Sequence, residues 1–167
     1  MLDNRQAAGV PAFTITMVQP ATERGSQPFN APSPWHLSRA VAPKKILVVD
    51  DELWAALDME WVVQELGHEV IGPAPTAEKA ILLAGEHQPD LILMDIRLAY
   101  SGDGVAAAVE IRNRFDIGSI FVSAHGDPDT RLRAMAARPS GFIEKPFTPE
   151  ALSQAIEAAL TAGNEDD

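Results

Sequence analysis

Five short apolar runs recur along the chain after residue 44, beginning near residues 46, 69, 91, 119 and 141. Successive runs start 23, 22, 28 and 22 residues apart, which is about the length of a strand followed by a helix. Each run is continuously apolar, as expected for a strand covered on both faces of a parallel sheet. The pattern predicts an α/β fold, in which a doubly wound, five-stranded parallel sheet is combined with five helices.

Cap and turn residues support the helices between the runs. Gly67 can close the first helix, Thr76 can cap the second, and Thr148-Pro149 gives the last helix a cap followed by proline. Helical spacing predicts the buried face of the first helix as Ala55, Met59, Val62, Val63 and Leu66. Right-handed crossovers and the common strand order 2-1-3-4-5 then place the first and third strands side by side.

Four of the five runs end in side chains that can carry chemistry. These groups follow the first, third, fourth and fifth runs, and they are Asp50-Asp51, Asp95, Ser123 and Lys145. Open α/β sheets bind ligands at the carboxyl ends of their strands, so the predicted topology gathers these groups in one crevice. Asp51 and Asp95 are thus predicted to be neighbours although they are far apart in the sequence.

Three converging carboxylates repel one another and raise each other's pKa, which a bound cation relieves. Hard oxygen ligands suit Mg²⁺, and a lysine or a hydroxyl beside them can contact phosphoryl oxygens. The set therefore matches chemistry in which an aspartate accepts a phosphoryl group. Asp95 is favoured as the nucleophile because a loop predicted to be flexible, residues 100–104, follows it. The adjacent Asp50 and Asp51 are favoured as metal ligands, but the residues alone leave the choice of nucleophile open.

Each residue also has a simpler interpretation when it is taken alone. Asp51 and Ser123 are of the types that cap helices, and Lys145 is of the type most often found on the surface. The case for a site rests on the convergence of all of them.

Residues 1–43 differ from the rest of the chain. They contain six of the thirteen prolines, and we expect a Pro-rich, largely disordered extension. Three basic and two acidic residues give this segment a net charge of +1, whereas ten basic and 22 acidic residues give residues 44–167 a net charge of −12. So acidic a body lacks the basic footprint of a nucleic-acid-binding protein. Apolar runs are too short for a membrane span, so we expect a cytoplasmic protein without a membrane partner.

Residues 44–161 resemble a receiver domain of two-component response regulators. The resemblance rests on five stretches in the family's order and spacing: Lys45–Glu52, Pro89–Asp95, Asp103-Gly104, Ser123-Ala124 and Gly141–Phe147. It implies a flavodoxin-like receiver fold and a signalling protein that is not an enzyme. About 20 residues follow Lys145, enough for one helix and an acidic tail at 162–167, so we expect a stand-alone receiver without an output domain.

The resemblance also implies roles for the acidic residues. Asp95 would accept a phosphoryl group from the phosphohistidine of a sensor histidine kinase or a histidine phosphotransfer protein. Asp50 and Asp51 would bind Mg²⁺ together with Asp95 and the main-chain carbonyl of Arg97. In this family the positions of Arg97 and His125 tune the phosphoryl lifetime, and we expect the bulky Arg97 to slow attack by water.

Two further residues and one peptide bond complete what the resemblance implies. Ser123 and Phe142 would form the switch that senses the phosphoryl group, and Lys145 would contact it. Phe142 stands where a tyrosine is frequent, which removes a hydroxyl from the switch. The bond between Lys145 and Pro146 is expected to be cis.

A second apolar stripe on the first helix consists of Trp54, Leu57 and Trp61. It predicts a docking face for a partner, and the resemblance favours the kinase; the alternative is that neighbouring helices cover these side chains. The downstream protein target is unknown and homodimerisation stays open. Alternative functions are a phosphate sink for a kinase, a non-phosphorylated scaffold, or an aspartyl-phosphate phosphatase on a related fold. Such phosphatases usually place two acids one residue apart, whereas Asp50 and Asp51 are contiguous.

Overall fold

The computed structural model describes residues 42–98, 102–124 and 127–162. Most of the predicted extension, residues 1–41, and the tail after residue 162 lie outside the described residues, as does His125. The elements are β1 (Lys45–Val49), α1 (Leu53–Glu65), β2 (Glu69–Ala74), α2 (Ala77–His87), β3 (Leu91–Asp95), β4 (Arg97–Leu98), β5 (Gly102–Asp103), α3 (Gly104–Phe115), β6 (Gly118–Ser123), α4 (Pro128–Ala134), a 3-10 turn (Met135–Ala137), β7 (Gly141–Glu144) and α5 (Pro149–Ala162).

The five long strands form one parallel sheet in the order β2-β1-β3-β6-β7. This is the predicted order 2-1-3-4-5, because β6 and β7 are the fourth and fifth long strands, and the predicted fold is confirmed. β1 and β3 are paired along their length up to Val49 and Met94. Their carboxyl ends therefore lie side by side, while β2, which does not end in a reactive side chain, occupies the edge.

The loop after Asp95 is more ordered than the sequence suggested. Arg97–Leu98 and Gly102–Asp103 pair as a two-stranded antiparallel ladder, and α3 begins at Gly104. The predicted flexible loop is thus wrong for residues 102–104, and residues 100 and 101 lie outside the described part. The glycines mimic a turn signal, but Asp103 caps α3 by accepting a hydrogen bond from the Val105 N–H at 3.0 Å.

The sheet is covered on both faces. On one face α1 and α5 pack against β1, β3 and β6, with Met59 and Ile156 fully buried. On the other face α2 and α3 enclose a second layer that includes Leu83 and Ile111. Burying a large aliphatic side chain is worth about 1.5–3 kcal/mol, so both layers fix the strands and hence the ends that carry the reactive groups.

The predicted caps are present. Thr76 Oγ1 accepts a hydrogen bond from the Lys79 N–H, and Thr148 Oγ1 accepts one from the Ala151 N–H, both at 3.2 Å. Gly67 follows α1 with a φ of +79°, which glycine adopts readily.

The buried face of α1 is rotated slightly from the prediction. Its buried residues are Ala56, Met59, Val62 and Val63. Ala55 and Leu66 are only half-buried, because the stripe that faces the sheet is centred one residue further along the first turn. Among the helices in the described part of the chain, none is long and apolar enough to cross a membrane.

Candidate functional site

Three carboxylates meet at the carboxyl ends of the central strands. Asp50 follows β1, Asp51 comes next, and Asp95 is the last residue of β3. One oxygen from each lies within 4.8 Å of the others, close enough to share a metal ion. Asp50 and Asp95 are 2% and 8% exposed, respectively, and Asp51 is half-buried. The structure therefore brings together the acids that the predicted topology gathered.

Lys145 joins two of these acids from the neighbouring edge of the sheet. Its Nζ lies 2.6 Å from Asp50 Oδ2 and 3.0 Å from Asp95 Oδ2. The side chain is 14% exposed, so the interpretation of Lys145 as a surface lysine is wrong. Its position is fixed by its own N–H, which donates to the Ser123 carbonyl at 2.9 Å, and the Lys145-Pro146 bond is cis as expected.

The second oxygen of each buried acid is held by the backbone. The Glu52 N–H donates to Asp50 Oδ1 at 2.9 Å, and the Arg97 N–H donates to Asp95 Oδ1 at 3.1 Å. Since the N-cap of α1 is Glu52, Asp51 is not the helix cap. Both buried carboxylates are thus oriented by one backbone amide and one shared ammonium group.

At this site, burial and the partner charges act in opposite directions on the pKa values of Asp50 and Lys145. Burial raises the pKa of Asp50, and the Asp95 charge adds to this, while Lys145 and the Glu52 N–H oppose it without cancelling it. Burial lowers the pKa of Lys145, but the hydrogen bonds with Asp50 and Asp95 outweigh burial and leave that pKa above its usual value. The lysine is therefore charged at neutral pH, and its one ammonium group is shared by Asp50 and Asp95.

Ser123 and Phe142 lie beside a small cavity next to this cluster. Ser123 is the buried last residue of β6, and because α4 is capped by Asp127 it is not the cap of that helix. A cavity of about 130 Å³ is lined by Ser123, Phe142 and their neighbours Ile96, Arg131, Ile143 and Glu144. There is thus free volume between the hydroxyl-bearing strand and the aromatic ring.

The Phe142 ring has two specific contacts. It stacks on Phe121 with a centroid distance of 5.6 Å, and the Arg131 guanidinium lies 5.0 Å from its centre. Sequence reasoning missed Arg131, because nothing in the order of residues fixes which side of the short helix α4 faces β7.

Gly104 lies in a stretch that carried the resemblance, but sequence reasoning did not assign its packing role. Its N–H donates to the Ile96 carbonyl at 3.0 Å. A Cβ atom at this position would collide with the carbonyl oxygen of Asp95. The start of α3 is therefore packed directly against the backbone of Asp95, and Asp103, which caps α3, also forms an ion pair with Arg133 of α4.

The predicted apolar stripe of α1 is exposed. Trp54 is 74% exposed and Trp61 is 47% exposed, and Leu57 and Leu53 lie on the surface with them. We call these four residues the α1 surface. Leu53 was not part of the predicted stripe, because it lies at the first turn of the helix. The alternative that neighbouring helices cover the stripe is wrong for Trp54. Trp61 borders a groove of about 190 Å³ whose other walls include Val62, Phe147 and Pro149.

The sequence profile of the response regulator receiver domain matches residues 46–157. The chain belongs to this family. Receiver domains are typically signalling modules rather than enzymes, they typically bind Mg²⁺ at an acidic pocket, and membership implies contact with a histidine kinase or a phosphotransfer partner.

Two curated relatives and one solved structure illustrate the similarity. The phyllosphere-induced regulator PhyR of Methylorubrum extorquens is 38% identical over 117 residues, covering 70% of this chain and 43% of PhyR. The transcriptional regulatory protein PdtaR of Mycobacterium tuberculosis is 32% identical over 122 residues, covering 73% of this chain and 59% of PdtaR. The match thus spans about half the length of these relatives.

The solved structure is the signal receiver domain of a modulated diguanylate cyclase from Desulfovibrio desulfuricans G20. It superposes with a TM-score of 0.70 at 29% sequence identity, covering 75% of this chain and 99% of that domain. The similarity therefore extends over the whole receiver unit and not only over the acidic cluster.

Proposed function

We propose that this receiver is a phosphorylation-controlled binding switch in which Asp95 is the acceptor. The observation that carries the proposal is the shared contact of the Lys145 ammonium with Asp50 and Asp95, within a cluster of three carboxylates. In the reaction an oxygen of Asp95 forms a bond to phosphorus while the bond to the donor's imidazole nitrogen breaks; the donor ring, protonated at its other nitrogen, keeps that proton and leaves as neutral histidine. The receiver unit is residues 44–161, flanked by the extension 1–43 and the tail 162–167.

Asp95 is distinguished from Asp50 by its position, since Lys145 and a backbone amide hold the two carboxylates alike. It ends the central strand β3, where its oxygens are aimed by Lys145 and by the Arg97 N–H. Asp50 and Asp51 are consecutive and lie beside it, and with the main-chain carbonyl of Arg97 they would hold Mg²⁺ together with Asp95. When bound, that ion would neutralise charge on the phosphoryl oxygens.

Lys145 and Ser123 would read the new group. The Lys145 ammonium is already at the reacting carboxylate, so it can follow the charge onto a phosphoryl oxygen without a large movement. Ser123 would donate its hydroxyl proton to another phosphoryl oxygen. The cavity between Ser123 and Phe142 gives the aromatic ring room to move when Ser123 is drawn towards the phosphoryl group.

The α1 surface would dock the phosphoryl donor. It begins at Leu53, two residues after Asp51, so a protein bound there lies next to the acidic cluster. Large exposed aromatic side chains are the usual anchors of protein interfaces. The downstream protein target would be recognised through other contacts of the same domain.

Transfer of radiolabelled phosphate from candidate kinases in the presence of Mg²⁺ tests the acceptor. Asp95→Asn should abolish labelling, whereas the matched change Asp116→Asn, at the exposed C-cap of α3, should leave it unchanged. Labelling of the Asp95→Asn protein at the wild-type level would refute the assignment. Continuous turnover of a generic phosphate ester by the wild-type chain would favour the phosphatase alternative instead.

The docking surface is tested by comparing a protein donor with a small one. Trp61→Ala should slow transfer from the kinase at least tenfold while leaving labelling by acetyl phosphate unchanged, because acetyl phosphate needs no docking surface. Leu82→Ala, a similarly exposed apolar residue on α2, is the control. Equal kinase rates for all three proteins would exclude the α1 surface as the donor site.

Arg97 is proposed to lengthen the phosphoryl lifetime. Its backbone holds Asp95, and its side chain is exposed beside the acid. Arg97→Ala should lose phosphate faster than the wild type after the donor is removed, and an unchanged or slower rate would contradict this role.

A further inference from the structure

A groove with an apolar floor runs between α2 and α3. It has a volume of about 540 Å³, and its floor is formed by Ile81, Leu82 and Phe115. Leu82 is 50% exposed, although it lies in the middle of α2. A half-exposed leucine between two other apolar side chains provides a place for an apolar anchor from outside.

A glycine opens the floor of this groove. Gly85 lies within α2, where glycine weakens a helix relative to alanine. A Cβ atom there would lie 3.2 Å from Phe115 Cζ, closer than ordinary van der Waals contact. The absence of that atom lets the Phe115 ring lie against the backbone of α2, so the two helices approach closely beneath the groove.

The lining of the groove carries a negative charge. It includes three carboxylates, Glu78, Glu86 and Glu110, and one guanidinium, Arg114, which gives a net charge of −2. Arg114 is itself engaged, since it lies 2.7 Å from Glu110 Oε1 and 5.0 Å from the centre of the Phe115 ring. An approaching partner therefore meets apolar surface bordered by acid.

We propose that this groove docks a basic amphipathic helix of a partner protein. Such a helix would place large apolar side chains on the floor, at helical spacing, with lysines or arginines beside Glu78 and Glu86. Charge decides between partners: a second copy of this chain would bring a body with a net charge of −12 against the acidic rim, whereas a basic segment is attracted to it.

The groove lies on the opposite face of the sheet from the α1 surface. α1 packs on the layer that contains Met59 and Ile156, and α2 and α3 pack on the layer that contains Leu83 and Ile111. A partner in the groove thus leaves the α1 surface accessible. The inference goes beyond the proposed phosphoryl transfer, because it assigns a second partner that can bind at the same time as the donor.

Amide chemical-shift mapping on the full chain tests the groove. The probes are a synthetic 14-residue helical peptide with leucines on one face and lysines on the other, a peptide with glutamates in place of the lysines, and a scrambled basic peptide of identical composition. The first peptide should shift the amides of α2 and α3. Equal binding of the glutamate or scrambled peptide, or shifts confined to other elements, would overturn the proposal.

Paired charge reversals distinguish binding at the groove from nonspecific attraction of a basic peptide to an acidic chain. Glu78→Lys with Glu86→Lys should weaken binding of the basic amphipathic peptide at least tenfold. Glu69→Lys with Glu150→Lys changes the net charge equally at exposed positions outside the groove and should change binding less than twofold. Equal weakening by both pairs would refute a specific site, as would α2 and α3 shifts that depend on the concentration of the chain alone. If a variant fails to fold, the peptide map on the unchanged chain still decides.

Discussion

β3 and β7 each supply a residue next to the acidic site, but the two strands are held very differently. All five residues of β3 are buried, and the strand lies between β1 and β6. β7 pairs with β6 at the edge of the sheet, with three residues half-buried and Glu144 exposed. The proposed acceptor therefore lies on the most constrained strand, and the proposed sensor ring of Phe142 lies where displacement costs less.

The contacts around the two residues repeat this difference. Asp95 is held by the partly buried ammonium group of Lys145, by a backbone amide and by the close approach of Gly104. Phe142 is held by one ring and one guanidinium, with a cavity beside it. A preorganised acceptor beside a movable reader is what a phosphorylation switch requires.

The largest expected loss of stability comes from substituting Gly104, which packs against the end of β3. Gly104→Ala should lower the free energy of unfolding by about 3 kcal/mol, because the new methyl group collides with the Asp95 carbonyl oxygen. Gly141→Ala in β7 should change it by no more than about 0.5 kcal/mol, since its Cβ would meet Ile120 at an ordinary 3.8 Å. Urea unfolding measures both. Equal losses would contradict the contrast between the two strands.

Removing the Lys145 ammonium group, which Asp50 and Asp95 share, should have the next largest effect on the free energy of unfolding. In metal-free buffer at pH 7, Lys145→Met should cost about 2 kcal/mol, because two buried carboxylates lose their common partner. Lys44→Met breaks the partly exposed pair with Asp90 and should cost less than about 1 kcal/mol. Adding Mg²⁺ should recover part of the Lys145→Met loss.

The pH dependence of the Lys145→Met loss sharpens the same contrast. Burial raises the pKa of Asp50 in the folded chain above its value in the unfolded chain. The stability that this shift contributes is fully present at pH values below the unfolded-state pKa, and it is lost as the pH rises past the folded-state pKa. Without Lys145 that pKa rises further, because the ammonium no longer stabilises the charged form. The stability difference between wild type and Lys145→Met should therefore shrink as pH falls from 7 towards 4. A difference that grew on acidification would argue against charge as its cause.

The smallest effect on stability is expected for the contact between Arg131 and the Phe142 ring. Arg131→Ala removes the guanidinium from the Phe142 ring and should cost about 0.5–1 kcal/mol. Arg114→Ala removes a guanidinium at the same 5.0 Å from the Phe115 ring, away from the site, and is the matched control. NMR relaxation of the two rings should show faster motion of Phe142 only in Arg131→Ala. Unchanged motion there would mean that Arg131 does not restrain the ring.

The topology and the meeting of the acids could be predicted because both follow from repeating patterns. The spacing of apolar runs gives the strand–helix units, and handed crossovers then leave few strand orders. Once β1 and β3 are neighbours, Asp50 and Asp95 have to meet, whatever the intervening loops do.

The features that were missed depend on how elements face one another. Arg131 reaches Phe142 only because of the rotation of α4, and the exposure of Leu53 depends on how the first turn of α1 lies against the rest of the domain. The Gly102–Asp103 ladder depends on pairing with Arg97–Leu98, and a short segment rich in glycine carries no such signal. Packing angles and short-range pairing are fixed by tertiary contacts, which the linear pattern does not encode.

Chemical trapping of the phosphorylated residue tests the central claim most directly. Borohydride reduces an aspartyl phosphate to homoserine, and peptide mass spectrometry then locates the converted residue in the wild-type chain after phosphorylation with Mg²⁺ present. We predict homoserine at position 95 and unmodified aspartate at positions 50 and 51. Conversion at Asp50 or Asp51 with Asp95 intact would contradict the assignment of acceptor and metal ligands.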